Sequence, residues 1–312
     1  MEVRRSRPLL GAEGEAALIP APDWVAIVNP RSGGRARTDM LAERLQHAVA
    51  RVLVSEGPGH ADALVRSCRH AAGILVAGGD GTLFEVLQAC DRTRQRIALA
   101  PTGRGNSLAR DLGMTSPGDA IACVVRGVDR AIDLLDVTLA SDDGTIWRGV
   151  SASNVAIGYP ADVARRAAQW RRLGAASYAL GAVTASPAPL SVRMRLDDGP
   201  ETSTRMTGLV ISNSRYVGPF LGFPSSSLVD GVFHTIEMRA RTLGQTLHNV
   251  SALTGLGFYE PGTRRDLRAI AVTLDEPAVL KIDGEIRGGV REICVRIQPS
   301  AVTFRVPAAP HA

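Results

Sequence analysis

The apolar run Ile74-Leu75-Val76-Ala77 passes at once into Gly78-Gly79-Asp80-Gly81-Thr82 and then into Leu83-Phe84-Glu85-Val86-Leu87. No other stretch restricts the fold as much. The order reads as buried strand, glycine turn and amphipathic helix. Glycines in such a turn let backbone N–H groups come close to an anion, and the helix N-terminus adds a partial positive charge. Asp80 stands in the middle of the turn, where a carboxylate alone would repel phosphate. A divalent cation between the two removes the conflict, which makes magnesium and a nucleotide phosphate the expected ligands. A tight connection with a solvated aspartate is the plainer alternative, open at this point.

The same alternation extends to either side. From Trp24, Val25–Val28 is expected as a short buried strand and 29–34 as a turn. Thr38–Val49 has helical spacing, Val52–Val54 is a second strand, and Ala61–His70 a second helix. Ile97–Ala100 is a further strand, followed by a glycine turn and a helix over Ser107–Leu112. Strands alternating with helices predict a parallel sheet covered on both faces, with ligands beyond the carboxyl ends of the strands. After Asp136 the texture changes to strand-like segments separated by Gly, Pro, Asp and Ser, the pattern of an antiparallel β domain. The expected division is a flexible arm over 1–22, an α/β domain over 23–137 and a β-rich domain over 138–308.

A chain of 312 residues has room for two such domains. Its formal net charge of +5 comes almost wholly from arginine, Lys281 being the single lysine. No arginine block is interleaved with aromatic residues, so nucleic acid is not an expected partner. Cys68, Cys90, Cys123 and Cys294 form no CxxC pair, which argues against structural zinc and disulfides and for a reducing cytoplasm. The histidines show neither triad nor metal spacing. No apolar stretch approaches the roughly 18 residues that span a bilayer, so lipid would be met from the surface.

Four segments, taken in order, resemble the diacylglycerol kinase catalytic-domain family, which includes bacterial lipid kinases and sphingosine kinases. They are Asn29–Gly34 (NPRSGG), Gly78–Thr82 (GGDGT), Pro101–Arg110 (PTGRGNSLAR) and Ile282–Glu285 (IDGE). Ile132-Asp133-Leu134 and Leu228-Val229-Asp230-Gly231 fall where the family has weaker motifs. The resemblance implies a NAD kinase/diacylglycerol kinase-like α/β domain followed by a β-sandwich, with the active site between them. It implies that Asn29, Pro30, Arg31, Ser32, Gly33, Gly78, Gly79, Gly81 and Thr82 cradle ATP, with Ser55 lining the nucleotide pocket and Asn106 on the third turn. Asp80 would hold the catalytic magnesium, and Glu285 would accept the proton of a substrate hydroxyl. Asp230, with the carbonyls of Ser227 and Val232, would hold a second, structural magnesium ion.

The sequence also departs from the family pattern. In the third segment Arg104 stands where a threonine is common and Ser107 where an aspartate is. Arg104 could grip ATP phosphates as a bidentate guanidinium. Asp111 is a candidate substitute for the missing carboxylate, and Ser107 and Asp133 are expected on the substrate side. The segment from Asn154 to Val183 is similar to the sphingosine-kinase stretch that grips a lipid headgroup, with Asp162 as the gripping residue. Arg165, Arg166, Arg171 and Arg172 around Trp170 suit an anionic membrane interface. The reading is an ATP- and Mg2+-dependent lipid kinase, peripheral at the inner face of the membrane, acting on diacylglycerol or a related glycerolipid, or else on a sphingoid base. A homodimer is compatible with the sequence. A NAD-kinase-like enzyme with a soluble substrate and a non-catalytic lipid or nucleotide sensor are the alternatives.

Overall fold

A computed structural model describes residues 21–33, 35–103, 105–174, 176–218, 220–221, 223–239 and 263–308. Residues 1–20 of the expected arm lie outside this set. The first half runs β1 (Ala21–Val28), α1 (Arg35–Gln46), β2 (Val49–Val54), α2 (His60–Arg66), β3 (Gly73–Gly78), α3 (Asp80–Ala89), β4 (Arg96–Pro101), α4 (Ser107–Asp111) and α5 (Pro117–Arg126). β2, β1, β3 and β4 are adjacent and parallel in that order. Every residue of β3 is buried, as a central strand covered on both faces requires. Helical spacing carried the expected first helix through Val49, but α1 stops at Gln46 and Val49 opens β2. The β-branched run Val49, Val52 and Val54 pairs with β1, and that pairing outweighs the local helical pattern. α2 likewise closes earlier than expected, where the Ser67 hydroxyl donates to the Leu64 carbonyl at 2.7 Å.

The chain continues through β5 (Val128–Ser141), β6 (Ile146–Ser151), β7 (Asn154–Gly158), α6 (Tyr159–Ala167), a 3-10 turn (Ala168–Leu173) and α7 (Ala176–Thr184). β8 (Leu190–Leu196), β9 (Thr202–Met206), β10 (Gly208–Ser212), β11 (Tyr216–Val217), β12 (Phe220–Leu221) and β13 (Phe233–Met238) follow. The last strands are β14 (Thr263–Leu267), β15 (Ala269–Ile282) and β16 (Glu285–Val306). Here pairing is antiparallel, β7 lying between β10 and β15.

One long ribbon joins the halves. β5 runs through residue 137 without a break and pairs with β16 from Val128 opposite Val306 to Ser141 opposite Val290. The end of β16 then joins β4 in parallel through Phe304 and Ile97. Val302, Phe304 and Val306 therefore complete the first core, around Ile27, Leu75 and Ile97. A second core gathers Leu135, Ile157, Phe233, Leu280 and Ile293. A smaller cluster, including Tyr159, Val163, Ala182 and Ile236, seats the α6–α7 hairpin on the outside of the sheet.

Candidate active site

Each of the first three glycine turns follows a parallel strand, and the shared strand direction brings them together at one end of the sheet. The Asn29 amide donates to the Thr82 hydroxyl at 2.8 Å, tying the first turn to the second. Asn29 also accepts the Arg31 N–H at 3.0 Å, which shapes its own turn around Pro30. Gly33 sits at φ +90°, and a Cβ there would lie 2.8 Å from the Thr102 carbonyl oxygen. Gly79 and Gly103 meet back to back, a Cβ on Gly103 falling 2.5 Å from the Gly79 Cα. Side chains at these positions would force the turns apart. Ser55 is buried at the end of β2, its N–H donating to the Val28 carbonyl at 2.8 Å. Gly34 and Arg104 lie outside the described residues.

The fourth segment arrives from the other half of the molecule. The β15–β16 turn packs on the first turn of α3, so closely that Gly284 faces the Gly81 backbone. Asp283 holds that turn in place. Its buried carboxylate, on a residue at φ +47°, accepts the Ser151 hydroxyl at 2.8 Å and the N–H groups of Ala152 at 2.9 Å, Ser153 at 2.9 Å and Asn154 at 3.1 Å. Asp283 is thus a structural anchor, and Glu285, two residues on, is left exposed.

Asp80 is half-buried at the start of α3, and its Oδ1 accepts the Ser107 N–H at 2.9 Å. Burial pushes its carboxyl above the usual range; Lys281 pulls it down, Asp283 pushes it up, and the Ser107 and Asn106 N–H groups pull it down. Burial also depresses the Lys281 ammonium, against the opposing pull of Asp80 and Asp283. The same ammonium donates to the Asn154 Oδ1 at 3.2 Å.

The oxygens around Asp80 fit a magnesium ion. Asn106, at φ +50°, donates through Nδ2 to the Gly103 carbonyl at 2.8 Å, yet its buried Oδ1 has no hydrogen-bond partner. A carboxylate and an unpartnered amide oxygen are hard donors. Magnesium is commonly held by one or two carboxylates completed by phosphate oxygens and water. The described residues contain no group of three or more His, Cys, Asp or Glu side chains placed to hold a metal by themselves.

Glu285 lines a cleft of about 660 Å³ that opens between the halves. Gly59, Arg66 and Gln88 stand on one wall, and Trp147, Arg148 and Arg287 on the other. The Arg287 guanidinium lies 4.5 Å from the centre of the Trp147 ring, which stacks on Phe84 at 6.0 Å. Gln88 locks α3 to β6, donating to the Val150 carbonyl and accepting its N–H, both at 2.9 Å. Trp147, Arg148, Arg287 and Lys281 were not singled out from sequence as site residues. Arg287 carried a readable signal, since it lies two residues beyond Glu285 on a strand and so shares its face.

Several expected site residues have other duties. Asp133, expected near the substrate, is buried and accepts the N–H groups of Gly231 at 2.7 Å and Ser300 at 2.8 Å. With both carboxylate oxygens engaged, it pins the 228–231 loop to the bulge of β16. Ser107 is also buried; its hydroxyl donates to the Gly218 carbonyl at 3.2 Å, and it serves Asp80 through its backbone. Asp111 does not replace the missing carboxylate, because Arg215 at 2.6 Å and the Ser214 hydroxyl at 2.8 Å occupy it. In the 227–232 loop Asp230 accepts the Val232 N–H at 3.2 Å and the Ser227 hydroxyl accepts the Val229 N–H at 3.4 Å. Asp162 sits in the first turn of α6 with its oxygens engaged by Arg165 and, at 2.9 Å, by Arg166.

Known proteins resemble this chain. Residues 23–137 match the diacylglycerol kinase catalytic domain, and residues 153–306 match the YegS C-terminal NAD kinase beta sandwich-like domain. A diacylglycerol kinase of Mycobacterium tuberculosis is 31% identical over 222 residues, covering 66% of this chain and 70% of that protein. Sphingosine kinase 2 of Homo sapiens is 29% identical over 226 residues, which cover 64% of this chain but only 34% of the human protein. The chain therefore spans about a third of that relative. In three dimensions a putative diacylglycerol kinase from Bacillus anthracis superposes with a TM-score of 0.75 at 17% identity, over 96% of this chain and 99% of the other. The two share a fold.

Proposed function

The chain belongs to the diacylglycerol kinase family, and from that premise we propose that it transfers the γ-phosphate of ATP to a hydroxyl of a membrane lipid. The observation that carries this reading is the packing of Gly284 on Gly81. It sets Glu285, from the second half, beside the glycine turns and Asp80 of the first.

Phosphoryl transfer demands positioning and neutralised charge more than covalent chemistry. The backbone N–H groups of the glycine turns bind phosphate oxygens, and the arginine-lined cleft beside Glu285 receives the rest of the nucleotide. Asp80 and Asn106 would hold magnesium, which would supply neutralisation of the phosphate charge. Glu285 takes the proton of the lipid hydroxyl as its oxygen bonds to the γ-phosphorus, and ADP leaves. A carboxylate in this role contributes about 10²- to 10⁴-fold.

Diacylglycerol or a related glycerolipid is the first acceptor and a sphingoid base the second, in line with the names of the relatives. The lipid would be met at the α6–α7 hairpin, where Trp170, Leu173, Leu180 and Val183 are exposed beside Arg165. Exposed apolar side chains next to arginine suit an anionic membrane surface. No described helix is long and apolar enough to cross a membrane.

The test is transfer of labelled phosphate from Mg-ATP to diacylglycerol, monoacylglycerol, sphingosine, ceramide and phosphatidylglycerol in mixed micelles, with Glu285→Gln as control. A labelled lipid that vanishes in the variant supports the reading. ATP binding with no labelled lipid from the whole panel would overturn it in favour of a soluble substrate or a sensor.

A further inference from the structure

β6 lies at an edge of the sheet: among the described residues β5 is its only strand partner. In an antiparallel ladder successive residues turn their N–H and C=O groups alternately towards and away from the partner strand. Val150 marks the outward set, because the Gln88 carboxamide on α3 takes both its N–H and its C=O, each at 2.9 Å. Arg148, two residues earlier and opposite Thr138, belongs to the same set. Its backbone pair therefore points the same way as that of Val150, and no described residue takes it. Arg148, Gly149 and Val150 line the same cleft as Gln88. The wall beside them is flat. Trp147 stacks on Phe84 with 6.0 Å between ring centres, and the Arg287 guanidinium lies 4.5 Å from the Trp147 ring centre. Gly149 makes room for this arrangement, since a Cβ there would fall 2.4 Å from both the Trp147 ring and the Gln88 Oε1.

We propose that the open N–H and C=O of Arg148 read the base of the nucleotide by its edge, the N–H donating to a ring nitrogen and the C=O accepting from the neighbouring amino group, as on the N1–N6 edge of adenine. The proposal rests on the nucleotide-binding part of the kinase reading. Gln88 shows the geometry that is needed. A carboxamide carries an acceptor and a donor side by side, and this one satisfies both backbone groups of Val150. Adenine carries the same pair along its N1–N6 edge and can repeat the bonding one step down the strand, while Trp147 and Arg287 offer a surface suited to an aromatic ring. The cleft, about 660 Å³, has the size of a small-molecule pocket. An added protein strand does not fit the opening: Gln88 closes Val150, and of the remaining outward residues of β6 only Arg148 lines the cleft. Because the reading groups belong to the backbone, no residue type in the sequence announces them.

The experiment is calorimetric titration of the full chain with Mg-ATP and with Mg-1,N6-etheno-ATP, whose added ring blocks the N1–N6 edge and leaves the triphosphate intact. Wild type is compared with Arg148→Ala, which keeps the backbone N–H, and Arg148→Pro, which removes it. Proline is tolerated on an edge strand where the missing N–H faces outward, so pairing with β5 survives, and thermal melting checks that each variant is folded. The expected result is etheno-ATP binding about tenfold weaker than ATP in wild type and in Arg148→Ala, and only about threefold weaker in Arg148→Pro, where one of two hydrogen bonds is left to lose. Equal affinity of wild type for the two nucleotides would overturn the proposal, as would a folded Arg148→Pro that keeps the full tenfold difference. Neither result would touch the kinase reading, since ATP would still be bound. Absence of ATP binding by wild type would overturn both.

Discussion

Gly284 and Gly81, which lie in different halves of the molecule, touch through their backbones: a Cβ on Gly284 would fall 2.2 Å from the Gly81 nitrogen and 2.5 Å from its Cα. Neither neighbour is a flexible side chain that could step aside. This contact sets the distance between Asp80 and Glu285. Gly284→Ala is expected to destabilise the protein by about 1–3 kcal/mol through overpacking. It should also cut phosphoryl transfer by about 10²-fold by displacing the acid from the turn. Denaturant unfolding and turnover of Mg-ATP check both, and an alanine variant with wild-type turnover would refute the spacing role.

Glu285 and Asp283 stand two residues apart and should separate function from stability. Glu285 is exposed in the cleft, so Glu285→Gln should leave unfolding within about 0.5 kcal/mol of wild type. Its transfer rate should fall by about 10²- to 10⁴-fold.

Asp283→Ala removes the acceptor for four donors in the Ser151–Asn154 bend. Buried donors left unpaired are costly, and a loss of about 3 kcal/mol is expected in denaturant unfolding. A stable Asp283→Ala protein would show that the bend finds other partners.

Asp162 tests a headgroup role against a structural one. Burial alone would raise its carboxyl, but hydrogen bonds and charge from Arg166 and Arg165 hold it below the ordinary value. A depressed folded pKa means that the group stabilises the fold above its unfolded pKa of about 3.9 and loses that contribution as pH falls through the folded value. Asp162→Asn should therefore melt lower than wild type at pH 7 and alongside it once the pH falls below the folded value. The arginines are 48% and 34% exposed, which limits the effect to about 1 kcal/mol. Unchanged melting at pH 7 together with lost lipid phosphorylation would instead assign Asp162 to the headgroup.

Val183 is 75% exposed on α7, one turn from Leu180. Val183→Glu should weaken co-sedimentation with anionic vesicles several-fold while leaving the melting temperature unchanged. Equal sedimentation of the two proteins would remove the hairpin from the membrane.

The glycine turns were readable from the chain because their information is local. Strand, turn and helix in 74–87 follow from residues next to one another, and the β3–α3 junction lies within the expected turn, although α3 begins at Asp80 rather than at Leu83. Local patterns misled where sheet pairing won, as at Val49. They also said nothing of partners far along the chain. The hydrogen bond between Lys281 and Asn154 spans 127 residues, and those that anchor Asp283 span 129 to 132. Asp133 shows the same limit in reverse. It sits in a motif that resembles a family site, yet Gly231 and Ser300, 98 and 167 residues away, turn it into an internal anchor. Residue type and spacing determined where the glycine turns lie, because backbone geometry in a turn depends on its own few residues. Which carboxylates are left to do chemistry was decided only by tertiary structure, because N–H, hydroxyl and guanidinium groups from distant parts of the chain occupy oxygens that would otherwise face a ligand.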